Sequence, residues 1–378
     1  MEKDPERRGL MKAVVLFGLV WAAPVSILFA QERPRWQAEW EKTVEAAKRE
    51  GQVNVYLDYS ATALMDAGAF QRAFPEIKAF SVPMRNSQIR IITERRAGKY
   101  IPDVNIAGIT QNYPDLYKAG ALDPIRPALI LPEVLDESRW WQGRHRYADP
   151  EKQSVFIFLG FPQEGSFAYN SRLVNPKEFR SLWDFVNPKW KGKIEARDPR
   201  AHGPGGGALR FLFNHPQVGP EFIRRLYGTM DVTLFRDFRQ GMDWLAKGKF
   251  AICFACGSPE RPKAQGLPVE AFGFMKEGAG LVAQYGTIAL SDRAPHPNAA
   301  KVFINWLLSR EGQLALQRAL AKAPDSDAPD SLRVDIPKDD VPPSNRRVEG
   351  LEYIEMFTPE RMDMRPIIKV FLDVTRSQ

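Results

Sequence analysis

The sequence lacks the compact motifs of several enzyme classes. Its four histidines show no HExxH or other tight metal-ligand spacing; they are His145, His202, His215 and His296. No GxSxG, GK[ST] or GxGxxG segment occurs, which argues against hydrolases, kinases and classical metalloenzymes. Catalytic triads are also assembled from scattered residues, so an enzyme remains an alternative.

A strong charge bias is also absent. Lys and Arg number 53 against 46 Asp and Glu, and no long basic run of the nucleic-acid-binding type occurs. Met1 to Ala30 carries four basic and three acidic residues, which leaves 49 against 43 and a net charge of +6. This mild excess favours a small anionic ligand over nucleic acid.

Cysteine is scarce, and the only two residues, Cys253 and Cys256, form a CxxC. The motif begins inside an apolar, strand-like run, whereas thioredoxin-like motifs open a helix. We expect Cys253 to be buried core, with a structural disulfide and redox catalysis as alternatives. A lipid anchor is excluded because no thiol lies near the end of the N-terminal apolar run.

The N-terminus has the order of a secretory signal peptide. Arg7, Arg8 and Lys12 precede an apolar run from Ala13 to Ala30, and a polar segment follows. Pro24 and the marginal length disfavour a retained membrane anchor, which is the alternative. We predict a signal peptide over 1–30 and a soluble, exported, periplasmic protein.

Strands alternate with helices along the first half of the remaining chain. An amphipathic helix ending at Gly51 is followed by a strand, Val53 to Leu57, and two further helix-strand units end at Ile106. This order predicts an α/β fold with a parallel or mixed sheet covered by helices. Ser60 or Thr62 is the expected N-cap of the helix after the first strand.

The loops that follow strands hold the candidate binding residues. Carboxyl ends of strands and helix N-termini are where α/β proteins place anions. The glycines 205–207 precede a predicted helix, Arg236 follows a strand, and the turn Cys256–Ser258 follows the strand Phe250 to Phe254. Arg236 either clamps a carboxylate or forms an ion pair with Asp237 or another acid.

Later segments differ in composition. Asp325 to Arg347 is rich in Pro, Asp and Ser, which predicts an extended surface excursion. Ile367, Ile368, Phe371 and Leu372 predict a final packed helix.

Six segments in order resemble one known family. They are WEKTVEAAKREGQVNVY near the N-terminus, FAYNSRLV, SLWDFVNPKWKGKI, AKGKFAI, QGLPVEAF and HPNAAKVFINWLLSREGQ. Over nearly all of Trp36 to Val374 the chain resembles the type II substrate-binding proteins of ABC importers, close to the ferric-ion branch. The resemblance implies a two-lobed periplasmic-binding-protein fold with ligand held in the cleft between lobes.

The resemblance also implies lobe boundaries. One lobe comprises 31–159 and a return segment, 285–320, and the other comprises 160–284. Residues 321–378 form a C-terminal segment that packs across the lobes.

By position, the cleft is expected to be lined from both sides. The ligand-binding residues implied are Ser60, Ala61, Thr62, Gly108, Thr110, Tyr169, Gly205, Gly206, Gly207, Arg236, Cys256, Gly257, Ser258 and Tyr285. Many ferric-ion members use adjacent tyrosines, and this chain has no Tyr-Tyr pair. We therefore expect no bound metal and no cofactor, with a phenolate site only if Tyr169 and Tyr285 meet.

The resulting prediction is a periplasmic solute-binding protein without enzymatic activity. It captures a small anionic solute, acts as a monomer, and delivers the solute to ABC permease transmembrane subunits. The alternatives are an exported enzyme using Cys256 or Tyr169 in the same cleft, and a ligand-sensing module for a membrane receptor.

Overall fold

A computed structural model describes residues 34–58, 61–84, 86–163, 167–200, 205–257, 259–323 and 328–376. The predicted signal peptide lies outside these ranges, as do Ser60 and Ser258. Within the described ranges, no helix combines the length and apolar character needed to cross a bilayer.

Helices occur where apolar residues recur at helical spacing. In α1 (Arg35–Glu50), Trp40 and Val44 pack against a hydrophobic core, and Gly51 ends the helix with a φ of +73°. The others are α2 (Thr62–Asp66), α3 (Ala69–Ala73), α4 (Ser87–Arg96), α5 (Pro132–Leu135), α6 (Gly205–Asn214), α7 (Gly219–Thr229), α8 (Phe238–Ala246), α9 (Glu260–Ala264), α10 (Pro297–Leu308), α11 (Arg310–Lys322), α12 (Pro359–Met362) and α13 (Arg365–Thr375).

Within the described residues, the strands form three sheets. They are β1 (Gln52–Leu57), β2 (Lys78–Pro83), β3 (Val104–Ala107), β4 (Leu122–Asp123), β5 (Arg146–Tyr147), β6 (Val155–Ile157), β7 (Leu159–Gln163), β8 (Phe167–Asn170), β9 (Ile194–Arg197), β10 (Thr233–Phe235), β11 (Ile252–Phe254), β12 (Val269–Ala271), β13 (Ala279–Val282), β14 (Thr287–Ser291), β15 (Asp330–Ser331) and β16 (Tyr353–Glu355).

The first sheet is mixed, as the sequence predicts. Its order is β2-β1-β3-β14-β6-β5, and β4 pairs with β14. Strands β1, β2 and β3 are parallel, whereas β14 runs antiparallel to β3 and β6. The carboxyl ends of β1 and β3 therefore lie side by side.

The second sheet has the order β10-β9-β11-β8-β12. Strands β9, β10 and β11 are parallel, and β8 and β12 complete the sheet in antiparallel pairing with β11 and with each other. The predicted strand Phe250 to Phe254 begins two residues late, at Ile252. Its register places Cys253 opposite Glu195.

The third sheet, β15-β7-β13-β16, corrects one prediction. The segment expected to be a surface excursion contributes β15, which pairs with β7, and its residues Asp330, Ser331 and Arg333 are buried. The composition of this segment indicates turns, but it cannot show that a distant strand, β7, pairs with its backbone.

Two large hydrophobic clusters fill the interior. The first contains buried residues from Ala47 to Phe161 and from Leu281 to Phe357, and the second from Phe167 to Met275 and from Ile354 to Phe371. Trp140 is buried in the first cluster, edge-on to Phe156.

Candidate functional site

The loop after β1 leads directly into α2. Ala61 occupies the N-cap position, and among the described residues no side chain caps the helix. The expectation that Ser60 or Thr62 caps it is wrong for Thr62, which is the first helical residue. Ala61 donates its N–H to the carbonyl of Asp58 at 2.9 Å, so this backbone turn sets the start of the helix.

The loop after β3 meets the turn that contains Tyr285. Gly108 donates its N–H to the Gln111 side chain at 2.8 Å, and Ile109 donates to the carbonyl of Gln284 at 3.2 Å. A Cβ at Gly108 would lie 3.2 Å from that carbonyl, so glycine allows the close approach. Thr110 is exposed beside this contact. The structure therefore brings together Gly108, Thr110 and the turn before Tyr285.

Buried polar side chains hold this loop from beneath. Asn105 donates to Asn112 at 2.6 Å, Asn112 donates to Thr287 at 2.8 Å, and Thr287 donates to the carbonyl of Ala107 at 2.7 Å. Asn112 belongs to a π-helical turn, Gln111–Tyr117. Buried side-chain hydrogen bonds of this kind fix the position of the backbone.

At the other sheet, one aspartate holds two arginines. Asp198 follows β9 and Arg236 follows β10, so their parallel pairing places the two residues together. Arg200 donates to the two Asp198 oxygens at 2.8 Å each, and Arg236 Nε donates to Oδ2 at 3.1 Å. The side chain of Arg236 is 77% exposed. The three side chains carry one net positive charge.

The charge on Asp198 is strongly stabilised. Hydrogen bonds from Arg200, first, and from Arg236 lower the pKa of this buried carboxyl to about 2. The partner of Arg236 is thus Asp198 and not Asp237, which accepts N–H bonds from Arg239 and Gln240 as the N-cap of α8. The sequence missed Asp198 and Arg200 because 38 residues separate Asp198 from Arg236.

A pH dependence of stability follows from this carboxyl. Its pKa in the folded state is below the ordinary value of 3.8, so its stabilisation is complete above about pH 4 and is lost as pH falls toward 2. We expect the stability difference between wild type and Asp198→Asn to shrink by up to about 2 kcal/mol over that range. Urea denaturation at pH 6, 4 and 2.5 measures it; a difference that stays constant with pH contradicts the assignment.

The three glycines lie within the first turn of α6 rather than in a preceding loop. Gly205, Gly206 and Gly207 begin the helix. The first N–H groups of a helix have no partner within it, so these backbone donors are suited to an anion. Gly206 also lies against Met364, whose Cε would be 3.5 Å from an added Cβ.

Tyr169 and Tyr285 belong to different hydrophobic clusters. Tyr169 lies on β8, donates its hydroxyl to Glu270 at 3.2 Å and packs on Phe272. Burial, and then the Glu270 charge, raise the pKa of this phenol to about 12, so it stays protonated at neutral pH. The Tyr285 ring is edge-on to Phe161.

The turn after β11 is closed by a disulfide between Cys253 and Cys256. Both cysteines are buried, whereas Gly257 is exposed with a φ of +84°. Helix α9 then starts at Glu260, with Pro259 preceding it. Cys253 is therefore both a buried core residue and a partner in the disulfide.

A comparison with protein families gives a match for the part of the chain that contains the second sheet. Residues 166–319, which include β8 to β12, match the family of bacterial extracellular solute-binding proteins. This segment is similar to a bacterial extracellular solute-binding domain. A comparison with curated proteins gives no match.

Solved structures share the fold of this chain over most of its length. Iron-bound HitA from Pseudomonas aeruginosa is 19% identical, with a TM-score of 0.56 over 85% of this chain and 99% of its own. AfuA from Actinobacillus pleuropneumoniae with fructose-6-phosphate is 16% identical, with a TM-score of 0.53 over 87% and 99%.

An ABC-transporter substrate-binding protein from Agrobacterium tumefaciens is 16% identical, with a TM-score of 0.55 over 86% of this chain and 94% of its own. The fold is that of two-lobed periplasmic binding proteins, as the resemblance implied.

Proposed function

We propose that this protein is the periplasmic receptor of an ABC importer, where it captures a small anionic solute and delivers it to the transmembrane permease subunits as a monomer. The match of residues 166–319 to the solute-binding family carries the proposal. Its work is binding without chemistry, in which ligand stabilises a closed arrangement of the lobes.

The proposed lobes are 31–159 with 285–320, and 160–284, with 321–378 packing across them. The two hydrophobic clusters support this division. Along the chain, the buried residues pass from the first cluster to the second between Phe161 and Phe167, and back to the first between Met275 and Leu281. Two strands, β7 and β13, run through the same two intervals and pair with each other. Paired connecting strands are suited to hinge motion.

The Asp198–Arg200–Arg236 group favours an anion. The side chain of Arg236 projects into solvent, and its Nε donates to Asp198. This hydrogen bond orients the guanidinium group, whose other N–H groups can donate to an anion. Helix α6 adds backbone donors at Gly205 to Gly207. We infer that these groups hold the charged end of the solute, with the loops at Ala61, Thr62, Gly108, Thr110, Tyr169, Cys256, Gly257 and Tyr285 as the remaining walls.

Among the related folds, HitA is described as iron-bound and AfuA as bound to fructose-6-phosphate. The chain has no Tyr-Tyr pair, and Tyr169 donates its hydroxyl to Glu270, which argues against an adjacent tyrosinate pair for iron here. The arginine and the glycine amides resemble the donors that a phosphate or carboxylate requires.

The residue-level prediction concerns Arg236. We expect an organic phosphate, phosphonate or carboxylate to raise the melting temperature, and Arg236→Ala to weaken its binding roughly 10- to 100-fold, the value of one or two hydrogen bonds to a charged group. Arg239→Ala, which removes the same charge three residues away, is the control and retains wild-type affinity. Thermal shift and calorimetric titration measure both.

Several outcomes would contradict the proposal. If no anion in a broad panel, including fructose-6-phosphate, inorganic phosphate and citrate, shifts melting, solute capture of this class fails. A rise in melting temperature with ferric salts alone would show that the solute is iron and not an organic or inorganic anion. Recovery of a chemically altered solute after incubation would favour the exported enzyme.

A further inference from the structure

A buried carboxylate lies beside the two cysteines on one side of the second sheet. The parallel pairing of β9 and β11 sets Glu195 opposite Cys253, and the turn after β11 folds Cys256 back toward them. One carboxylate oxygen and the two Sγ atoms lie within 4.8 Å of one another. Glu195 and Cys253 are fully buried, and Cys256 is 3% exposed.

The surroundings of Glu195 do not explain its presence. The two cysteines belong to an apolar cluster with Phe235, Leu245 and Val269. Within the described part of the chain, neither carboxylate oxygen of Glu195 has a hydrogen-bond partner. A buried polar group without a partner costs about 1–3 kcal/mol, and more when it is charged, so such a group calls for a proton or an ion. A disulfide has no need of a neighbouring carboxylate.

We propose that the dithiol form of this protein binds one thiophilic divalent cation, of the Zn²⁺ class, through Cys253, Cys256 and Glu195. A dithiol reductant first exchanges with the disulfide, which gives two protein thiols and the disulfide of the reductant. The cation then displaces one proton from each thiol and the proton that burial keeps on the Glu195 carboxyl, and takes the resulting carboxylate as its third ligand. No electron passes to or from the cation.

The donor set selects the class of ion. Two thiolates with one carboxylate suit Zn²⁺, which accepts sulfur at about 2.3 Å and oxygen at about 2.0–2.2 Å, whereas Ca²⁺ and Mg²⁺ require oxygen ligands. Among the described residues, this is the single cluster of three such side chains with converging ligand atoms. The three ligands come from two paired strands and a tight turn, so they are held close before any ion arrives.

A groove gives access to the site. It has a volume of about 620 Å³ and is lined by Cys256, Gly257, Phe238, Met242 and Arg261, among others. Gly257 is exposed at its wall. The groove supplies an entry path from solvent to Cys256 and room for a water molecule as a fourth ligand.

The test uses Co²⁺ as a spectroscopic probe on the whole protein. The protein is reduced under anaerobic conditions, the reductant is removed, and Co²⁺ is titrated. We expect an intense near-ultraviolet sulfur-to-cobalt charge-transfer band that saturates at one ion per chain and is bleached by Zn²⁺. Cys253→Ser removes the band, and Glu195→Gln weakens Co²⁺ binding about tenfold or more. Glu270→Gln, on the same sheet, is the control and binds as wild type does.

A second measurement tests whether the variants fold. The melting curve of each variant before reduction shows that it is folded, and Zn²⁺ raises the melting temperature of the reduced wild type by mass action. A reduced wild type that shows neither the band nor the Zn²⁺-dependent rise overturns the site. Equal Co²⁺ affinity in wild type and folded Glu195→Gln also overturns it, because the carboxylate is then not a ligand.

Discussion

Replacing Arg333 by methionine lowers the free energy of unfolding by about 3–5 kcal/mol, the usual cost of removing one partner from a buried ion pair. The Arg333 side chain is fully buried and donates to both oxygens of Asp335, at 2.8 and 2.7 Å. It also donates to the carbonyl of Leu308 at 2.9 Å and lies 3.2 Å from a Glu133 oxygen. Methionine fills the volume but leaves these acceptors without their donor.

Denaturation by urea at neutral pH measures the loss. Arg318→Met is the matched control, because Arg318 is exposed and its nearest acid, Asp340, lies 3.9 Å away, so the change costs at most about 1 kcal/mol. Equal losses in the two variants would show that the buried network around Arg333 adds nothing to stability.

The second large effect is expected at Gly312, the third residue of α11. A Cβ built there would lie 1.9 Å from the carbonyl oxygen of Trp306 and 2.7 Å from the Cα of Leu307. Both atoms are backbone of α10, so no side-chain rotation relieves the contact. We expect Gly312→Ala to lower the free energy of unfolding by about 3 kcal/mol or more, since the two helices must separate.

Gly228→Ala is the comparison for this change. Gly228 lies in α7, where an added Cβ would meet only the Val374 side chain at an ordinary 3.5 Å. Alanine in a helix interior is favoured over glycine by up to about 1 kcal/mol, so this variant gains stability or stays equal. A parallel loss in both variants, by thermal or urea unfolding, would count against the steric explanation.

Local sequence patterns were sufficient for elements whose signals lie within a few residues. The amphipathic pattern that ends at Gly51 predicted α1. Strand β15 could not be predicted in this way, because its partner β7 lies 170 residues earlier at the paired position, Asp330 with Gly160.

The same limit applies to the candidate site. Arg236 was identifiable because an arginine at the end of a strand is exposed to a cleft in α/β folds. Its partner Asp198 was not identifiable, since only the β9–β10 pairing brings the two together. Glu195 carried no signal at all: a glutamate within a strand is ordinarily solvent-facing, and only the register with Cys253 shows its burial.

The C-terminal segment between β16 and α13 has a consequence for cooperativity. Its apolar side chains divide between the two interiors: Phe357 and Met362 pack with the first cluster, and Ile354, Met356 and Met364 with the second. Unfolding of either cluster therefore removes contacts of this segment on which the other cluster also depends. We expect the two clusters to unfold together as one cooperative unit, although each has a sheet of its own.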